Sequence, residues 1–133
     1  MSPRPFVTLP GRVVDLGVEA DCVISVALAS EWMDVEPLDL ARHLGWEQDD
    51  VAEDERAPRI LVVRSRLGDV PVKVAGRVGM MEAPSEDVMA LPPEVLSGNA
   101  AMVLSAVVIQ DARRPVVVLA PEGLFELFIG RSA

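Results

Sequence analysis

The feature that most constrains the fold of this chain is a series of short, valine-rich runs. Six runs of four to eight residues are each bounded by Gly, Pro, Asp or Ser. Valine and isoleucine are β-branched, and such residues favour pleated strands over helices. The predicted strands are residues 23–28, 59–64, 70–75, 78–82, 102–109 and 115–119. This number of short strands predicts a mainly β fold that includes a barrel.

Turn and helix signals occupy the spaces between these runs. Residues 66–69 place a Gly-Asp pair between apolar runs, and residues 110–113 are polar, so each segment predicts a hairpin. Pro37 and the leucines that follow it, up to a stop at Gly45, predict about two helical turns. Pro121 opens a second short apolar segment with helical signals. Neither helix is long enough to form the scaffold.

Length and segment composition predict one cytoplasmic domain over residues 1–133. The apolar runs are far shorter than the roughly 20 residues that a membrane span needs. No apolar stretch preceded by basic residues opens the chain, so we expect no signal peptide and no membrane insertion. Residues 47–55 contain six acidic side chains in nine positions, which predicts a solvated loop at the only internal boundary.

Charge and composition narrow the class of partner. Twelve basic and twenty-one acidic side chains give a formal net charge of −9, which repels phosphate backbones, so we expect no nucleic-acid partner. Because Cys22 and His43 are the single cysteine and the single histidine, the sequence predicts no disulfide, no metal site and no cofactor. The partners should be proteins with basic or apolar faces.

The sequence offers little for catalysis. His43 is most simply a surface or capping residue, and Cys22 is most simply a small buried hydrophobe. An enzyme would require a pocket with a perturbed carboxylate among Glu82, Glu86 and Asp87, for which an ordinary polar loop is the simpler interpretation. We therefore predict no catalytic residue and a protein that is not an enzyme.

Methionine and tryptophan side chains are the candidate binding groups. Met80 and Met81, with Val78 nearby, can form a plastic binding surface or can fill the core, and the sequence leaves both readings open. Trp32 and Trp46 flank the first predicted helix, where one can be core and the other an exposed interface anchor. The sequence does not decide which tryptophan is which.

From about Val35 onward, the order of elements resembles the CheW family. Residues 35–40 form a Val-x-x-Leu-Asp-Leu stretch that leads into a short Leu-Gly turn and a polar loop. Residues 59–63 look like the central strand of the family, and residues 91–94 match a Pro-Pro-Glu element. Residues 116–124 look like its closing segment. The resemblance covers residues 35–133, and its strength lies in the ordered series of elements.

This resemblance implies two small SH3-like β-barrel subdomains and no catalytic site. It also implies a scaffold in a bacterial chemosensory, two-component system that controls motility. The expected partners are the cytoplasmic tip of a chemoreceptor and either the regulatory domain of a histidine autokinase or another CheW-like protein. The alternative that we retain is an unrelated structural or regulatory β-barrel that binds a different protein.

Sequence differences from the family change the binding that we expect. Where family members usually have an Asn-Leu-Arg-Gly turn, residues 29–32 are Ala-Ser-Glu-Trp. A positive charge and a glycine are replaced by Glu31 and Trp32, so we expect this surface to bind its partners differently. The resemblance also implies a kinase contact on each barrel, and the altered first barrel puts one of them in doubt, so we expect kinase binding to be weakened or lost. The predicted protein-binding residues are Glu31, Trp32, Val78, Met80 and Met81.

Residues 1–34 do not clearly supply the first strands of the family. Residues 6–9 and 13–16 can supply two short strands, so we expect a remodelled N-terminal part and an incomplete first barrel. An incomplete barrel leaves a strand edge without a partner, and such an edge can pair with another chain. A homodimer through that edge is a secondary hypothesis.

Overall fold

The short β-branched runs form strands in the computed structural model, which describes residues 3–11, 14–44, 46, 58–74, 78–92, 94, 96, 98–110 and 113–130. The strands are β1 Arg4–Leu9, β2 Asp15–Glu19, β3 Val23–Leu28, β4 Leu38–Asp39, β5 Arg59–Arg64, β6 Asp69–Val74, β7 Gly79–Ala83, β8 Val88–Ala90, β9 Leu104–Val108 and β10 Val116–Leu119. The helices are α1 Leu40–Leu44, α2 Gly98–Val103 and α3 Pro121–Gly130. The fold is mainly β with short helices, as predicted.

Six strands form one sheet in the order β7-β1-β2-β10-β9-β8. The pair β2 and β10 is parallel and the other pairs are antiparallel. The two edge strands are consecutive along the chain and are joined by residues 84–87. The edges of a flat sheet of six strands lie about 24 Å apart, whereas this link reaches at most about 18 Å. The sheet therefore has to curl, which brings β7 towards β8.

The curled sheet encloses a small core of its own. Alternate residues of a strand point to opposite faces, so Val116 and Val118 face the inside while Val117 packs on the other face. The buried residues of this inner core are Phe6, Ala83, Val108, Val116 and Val118. The curled sheet is thus stabilised from within by a set of aliphatic side chains around one phenylalanine.

Four strands form the second sheet in the order β3-β5-β6-β4. The β5–β6 hairpin turns at Ser65 and Gly68, where the Ser65 hydroxyl oxygen accepts hydrogen bonds from the backbone N–H groups of Leu67 and Gly68 at 3.1 Å. Gly68 has a φ of 149°, and a Cβ there would lie 2.6 Å from the Phe125 ring. Both the backbone conformation and the close approach of α3 require glycine at this turn.

The larger core lies between the two sheets and α3. The outer face of the curled sheet packs against one face of the four-stranded sheet, and α3 closes the space between them. The buried residues of this core are Val7, Leu9, Leu16, Val18, Leu38, Leu40, Leu61, Val63, Val70, Val72, Val74, Val103, Leu119, Leu124 and Leu127. Burial of these side chains is the main source of stability that holds the two sheets together.

Most predicted elements agree with the structure, although several of the predicted strand ends are displaced. The strands at residues 23–28 and 59–64 have the predicted bounds, and the strands predicted near residues 6–9 and 13–16 correspond to β1 and β2. The strand predicted over residues 102–109 begins only at Leu104, because Met102 and Val103 are the last residues of α2.

The two predicted hairpins are present as β5–β6 and β9–β10, and the second predicted helix is present as α3. The first predicted helix is shorter than expected: α1 begins only at Leu40, because Leu38–Asp39 pair with β6 as strand β4. Several predicted features fall outside the described residues: the helix stop at Gly45, the acidic loop 47–55, the middle of the turn 110–113, and Pro93 of the Pro-Pro-Glu element. No helix in the described ranges is long and apolar enough to cross a membrane.

Candidate protein-binding surface

One edge of the four-stranded sheet exposes apolar side chains. The edge strand β3 pairs with β5 on one side, and its other side has no strand partner among the described residues. Ile24, Val26 and Leu28 are 43%, 46% and 39% exposed, and we call these three residues the β3 strip. Val26 lies opposite the buried Leu61. The register therefore places Val26 on the face of the sheet that covers the large core, at an edge that the rest of the described chain leaves exposed.

The segment after β3 continues this apolar surface. We call residues 29–36 the Trp32 loop; it begins with a 3₁₀ turn at Ala29–Glu31. The indole N–H of Trp32 donates a hydrogen bond to the Val35 carbonyl oxygen at 2.8 Å, which holds the half-buried ring against its own loop. Met33 is 92% exposed. Glu31 is exposed beside them, so the loop presents acidic and apolar groups together.

The two tryptophans have different environments, as the sequence suggested without assigning them. Trp46 packs against the large core, and its indole N–H donates a hydrogen bond to the Val14 carbonyl oxygen at 3.0 Å. Trp32 is absent from both core clusters of the described residues. Trp46 is consequently a packing residue, and Trp32 is the candidate interface anchor.

Strand β7 divides the predicted methionine surface. Met81 lies opposite Phe6 and packs against the inner core, while Val78 packs against the large core. Met80 lies opposite Val7 and is 67% exposed. Met80 is accordingly the surface residue of the three, and the other two are half-buried packing residues.

The predicted binding residues lie on two separate sheets. Glu31 and Trp32 follow β3 of the four-stranded sheet, whereas Met80 belongs to β7 of the curled sheet. Sequence reasoning missed Met33 and Val35 of the Trp32 loop, which are both exposed. The signal that could have found them is the alternation of apolar and acidic residues over positions 33–36.

A cavity of about 280 Å³ opens beside β7 at one end of the curled sheet. Arg114 donates a hydrogen bond to the Gly11 carbonyl oxygen, and its Nε lies 3.6 Å from Asp15 Oδ1. The same Asp15 oxygen accepts a hydrogen bond from the Gly11 backbone N–H at 2.9 Å. The lining residues are Thr8, Asp15, Met80, Met81, Val108, Gln110, Arg113, Arg114 and Val116. Arg114 and Asp15 thus serve to tie Gly11 to the start of β2.

The groups considered for catalysis have ordinary structural positions. Burial raises the pKa of the Cys22 thiol, and the nearby Glu19 carboxylate raises it further, so this thiol stays protonated at neutral pH. Asp87 accepts a hydrogen bond from the Gln110 side-chain N–H at 3.3 Å. Glu82 and Glu86 are exposed. Within the described ranges, no group of three or more His, Cys, Asp or Glu side chains is placed to hold a metal ion.

Comparisons with known proteins identify the class of fold. No family model matches the sequence, and no curated protein matches it. Comparison with solved structures shows that the chain has a CheW-like fold. It superposes on the scaffolding protein TtCheW from Thermoanaerobacter tengcongensis with a TM-score of 0.69 and 14% sequence identity, over 94% of each chain.

This likeness confirms the predicted resemblance at the level of the fold. The match spans 94% of the chain, so most of residues 1–34 lie within the matched part together with the segment in which the resemblance was first found. At 14% sequence identity, the superposition shows a shared architecture only. The partners of this chain must therefore be inferred from its own surface.

Proposed function

We propose that this protein is a non-catalytic adaptor of a bacterial chemosensory system that binds the cytoplasmic tip of a chemoreceptor. The observation that carries the proposal is the CheW-like fold, matched over 94% of this chain and of a solved scaffolding protein of that name. Such an adaptor acts in the cytoplasm, where the receptor tip lies, and contributes to a two-component pathway that controls motility.

The Trp32 loop is the proposed receptor-binding element. It offers what protein interfaces use most: a tryptophan held by its own hydrogen bond and a neighbouring methionine, Met33, that is almost fully exposed. Glu31 adds an acidic group at its start. Met80 provides an apolar contact on the other sheet and completes the exposed part of the predicted binding set.

Kinase coupling is the part of the proposal that differs from the family pattern. Glu31 and Trp32 stand where the family usually carries an arginine and a glycine, so the charge of this turn is inverted and its bulk is increased. A partner surface that is complementary to an arginine meets like charge here, which disfavours association. The partner of this turn should therefore be complementary to an acidic and aromatic surface. The remodelled N-terminal part, which puts one kinase contact of the first barrel in doubt, is the reason that we expect receptor binding to be retained and binding to the kinase regulatory domain to be weakened.

The test is a pair of calorimetric titrations of the purified protein. One uses the cytoplasmic tip of a chemoreceptor from the same genome, and the other uses the CheW-like regulatory domain of its histidine kinase. We expect receptor binding, and kinase binding at least roughly tenfold weaker, which corresponds to about 1.4 kcal/mol. Equal binding to both would contradict the weakened coupling. Binding to neither would favour an unrelated β-barrel module.

Variants locate the receptor contact. Trp32→Ala and Met33→Ala should each weaken receptor binding, because exposed aromatic and methionine side chains carry much of the energy of protein interfaces. Ile129→Ala is the matched control, since Ile129 is another exposed apolar side chain but lies on α3. Receptor binding that is equally strong in all three variants would exclude the Trp32 loop as the contact.

A further inference from the structure

Strand β3 is the one long sheet edge that the described structure leaves open. The edges of the curled sheet, β7 and β8, are drawn towards each other by the short link between them. The opposite edge of the four-stranded sheet is β4, which has only 2 residues. In contrast, β3 has 6 residues, and its pairing with β5 keeps a regular register from Ser25 to Leu28.

Apart from a register shift between Val23 and Ser25 at its start, β3 contains none of the devices that usually protect a sheet edge. Natural edge strands carry lysine, proline or inward-pointing charges, or are very short. The residues of β3 are Val-Ile-Ser-Val-Ala-Leu, without a charge or a proline. The β3 strip adds three partly exposed apolar side chains along the same edge. A strand with these properties is a template for pairing with another extended segment.

The charges around β3 specify the chemistry of the segment that fits it. Residues 13–41 contain seven acidic side chains and no Lys, Arg or His. Asp21 precedes the strand and Glu31 follows it, and both side chains are exposed. The basic side chains on the neighbouring strand are Arg59, which lies opposite Leu28 and has an interaction of its own, and Arg64 at its far end. Both ends of the open edge therefore favour a basic partner.

A second copy of this chain fits the edge poorly. In a two-fold antiparallel pair of β3 strands, the Asp21 end of one strand would lie beside the Glu31 end of the other. Like charges in this arrangement destabilise a strand pair, and a net charge of −9 on each copy adds a general repulsion. The predicted homodimer through an open edge is consequently disfavoured at β3 relative to a basic partner.

We propose that the β3 edge binds an extended segment of a partner protein as an additional antiparallel strand. The segment carries alternating apolar side chains that cover the β3 strip and has lysine or arginine at both ends, beside Asp21 and Glu31. Backbone hydrogen bonds along the edge supply affinity, and the flanking charges supply specificity. This site adjoins the proposed receptor contact and shares Glu31 with it, but it is formed by the backbone edge of β3 and does not depend on receptor binding.

The experiment uses the full chain labelled with ¹⁵N. It is titrated with a synthetic nine-residue peptide in which alternating valine and threonine residues are flanked by two lysines at each end. We expect protection from hydrogen exchange at backbone amides of residues 25–28 and a dissociation constant that rises with salt. Two control peptides have glutamate flanks or N-methylated backbone amides on alternate residues. Each control should bind at least roughly tenfold more weakly, because the first loses the charge pairing and the second loses the ladder hydrogen bonds.

Protein variants complete the test. Val26→Lys places a charge in the middle of the strip and should abolish peptide binding, while Ile109→Lys puts the same charge on an exposed apolar position outside β3. Val26→Thr keeps a β-branched side chain in case the lysine variant is unstable, and it should weaken binding several-fold. Equal binding of the N-methylated peptide, or protection confined to other strands, would overturn the proposal.

The occupant and the receptor contact are tested separately. Sedimentation of the chain alone at high concentration should show a monomer. A dimer that Val26→Lys dissociates would assign the edge to a second copy and overturn the proposal of a basic partner. Receptor binding by Val26→Lys should match that of the unmodified chain, so failure of the strand-pairing proposal is distinguishable from failure of the proposed receptor binding.

Discussion

In each of the two sheets one link joins the two edge strands, but the two links differ in length. In each sheet the two edge strands are consecutive along the chain: β7 and β8 in the curled sheet, β3 and β4 in the four-stranded sheet. The first pair is joined by residues 84–87 and the second by residues 29–37. The longer link reaches up to about 36 Å, whereas the edges of a flat sheet of four strands are about 14 Å apart.

This difference explains where the molecule exposes apolar surface. The short link forces the larger sheet to curl around its own core of five buried residues. The long link allows the smaller sheet to stay open, and its spare length forms the Trp32 loop. Met33 lies within that extra length, and the β3 strip lies on the edge strand that precedes it. Link length, more than composition, separates the closed sheet from the one that is available for binding.

The largest expected effect is the loss of the core that both sheets share. Val74 is buried on β6 and belongs to that core. Val74→Asp places an unpaired charge there, which costs several kcal/mol, against a total stability of about 5–15 kcal/mol for a domain. We expect an unfolded protein by circular dichroism. Lys73→Ser, at the exposed neighbouring position, is the control and should remain folded. A cooperative melt of Val74→Asp near that of the unmodified chain would remove Val74 from the core.

A smaller effect is expected where α3 meets α2. A Cβ at Gly123 would lie 1.9 Å from the Met102 carbonyl oxygen, so Gly123→Ala must move α3 away from α2. Overpacking of this kind costs about 1–3 kcal/mol. Urea denaturation should show this loss, and Gly130→Ala, which has open space around the added methyl group, should show almost none. Equal stability of the two variants would mean that α3 is not held tightly against α2.

Much of the fold was predictable because the strands are bounded by turn residues. Strands β3 and β5 have the predicted bounds, since each is a short β-branched run between clear breakers. Strands β4 and β8 were missed because 2 and 3 residues are too few to show an alternating pattern. Helix α2 was missed because its last residues, Met102 and Val103, run into the apolar sequence of β9 without a break.

The candidate site was less predictable, because exposure depends on pairing between distant strands. The register of β7 with β1 places Met80 outside and Met81 beside Phe6, and no local feature of the Met-Met pair contains that information. The open state of β3 depends on the order of strands in its sheet, which also joins residues far apart in sequence. The sequence did identify Trp32 as a candidate anchor, but the contact of Trp46 with the large core was needed to choose between them.

Replacing either of the two tryptophans should have a weaker effect on the free energy of unfolding. Trp32→Ala should lower the free energy of unfolding by less than about 1 kcal/mol, because the ring lies outside both core clusters and mainly orders its own loop. Trp46→Ala removes a ring that packs against the large core and a hydrogen bond to Val14, so it should cost clearly more. The two thermal melts can be compared directly. A larger destabilisation from Trp32→Ala would assign Trp32 to packing and weaken its role as an anchor.

The smallest expected effect concerns the ion pair that joins the β5–β6 hairpin to α3. Arg66 Nε lies 2.9 Å from Glu122 Oε1, and this hydrogen bond lowers the pKa of the Glu122 carboxyl group. A carboxyl group with a lowered pKa in the folded state stabilises the fold above its unfolded pKa of about 4.3, and this contribution is lost as the pH falls through the folded value. Because the pair is exposed, the total contribution should not exceed about 1 kcal/mol.

Thermal melts of Arg66→Gln at two pH values test this sign. At pH 7 the variant should melt slightly below the unmodified chain. At pH 3 the two melting temperatures should differ less, because protonation of Glu122 removes the ion pair from the unmodified chain as well. Arg64→Gln removes another exposed arginine, at the end of β5 just before the turn that contains Arg66, and serves as the control for net charge. A difference for Arg66→Gln that stays constant between the two pH values would show that Arg66 stabilises the hairpin through packing of its side chain and not through Glu122.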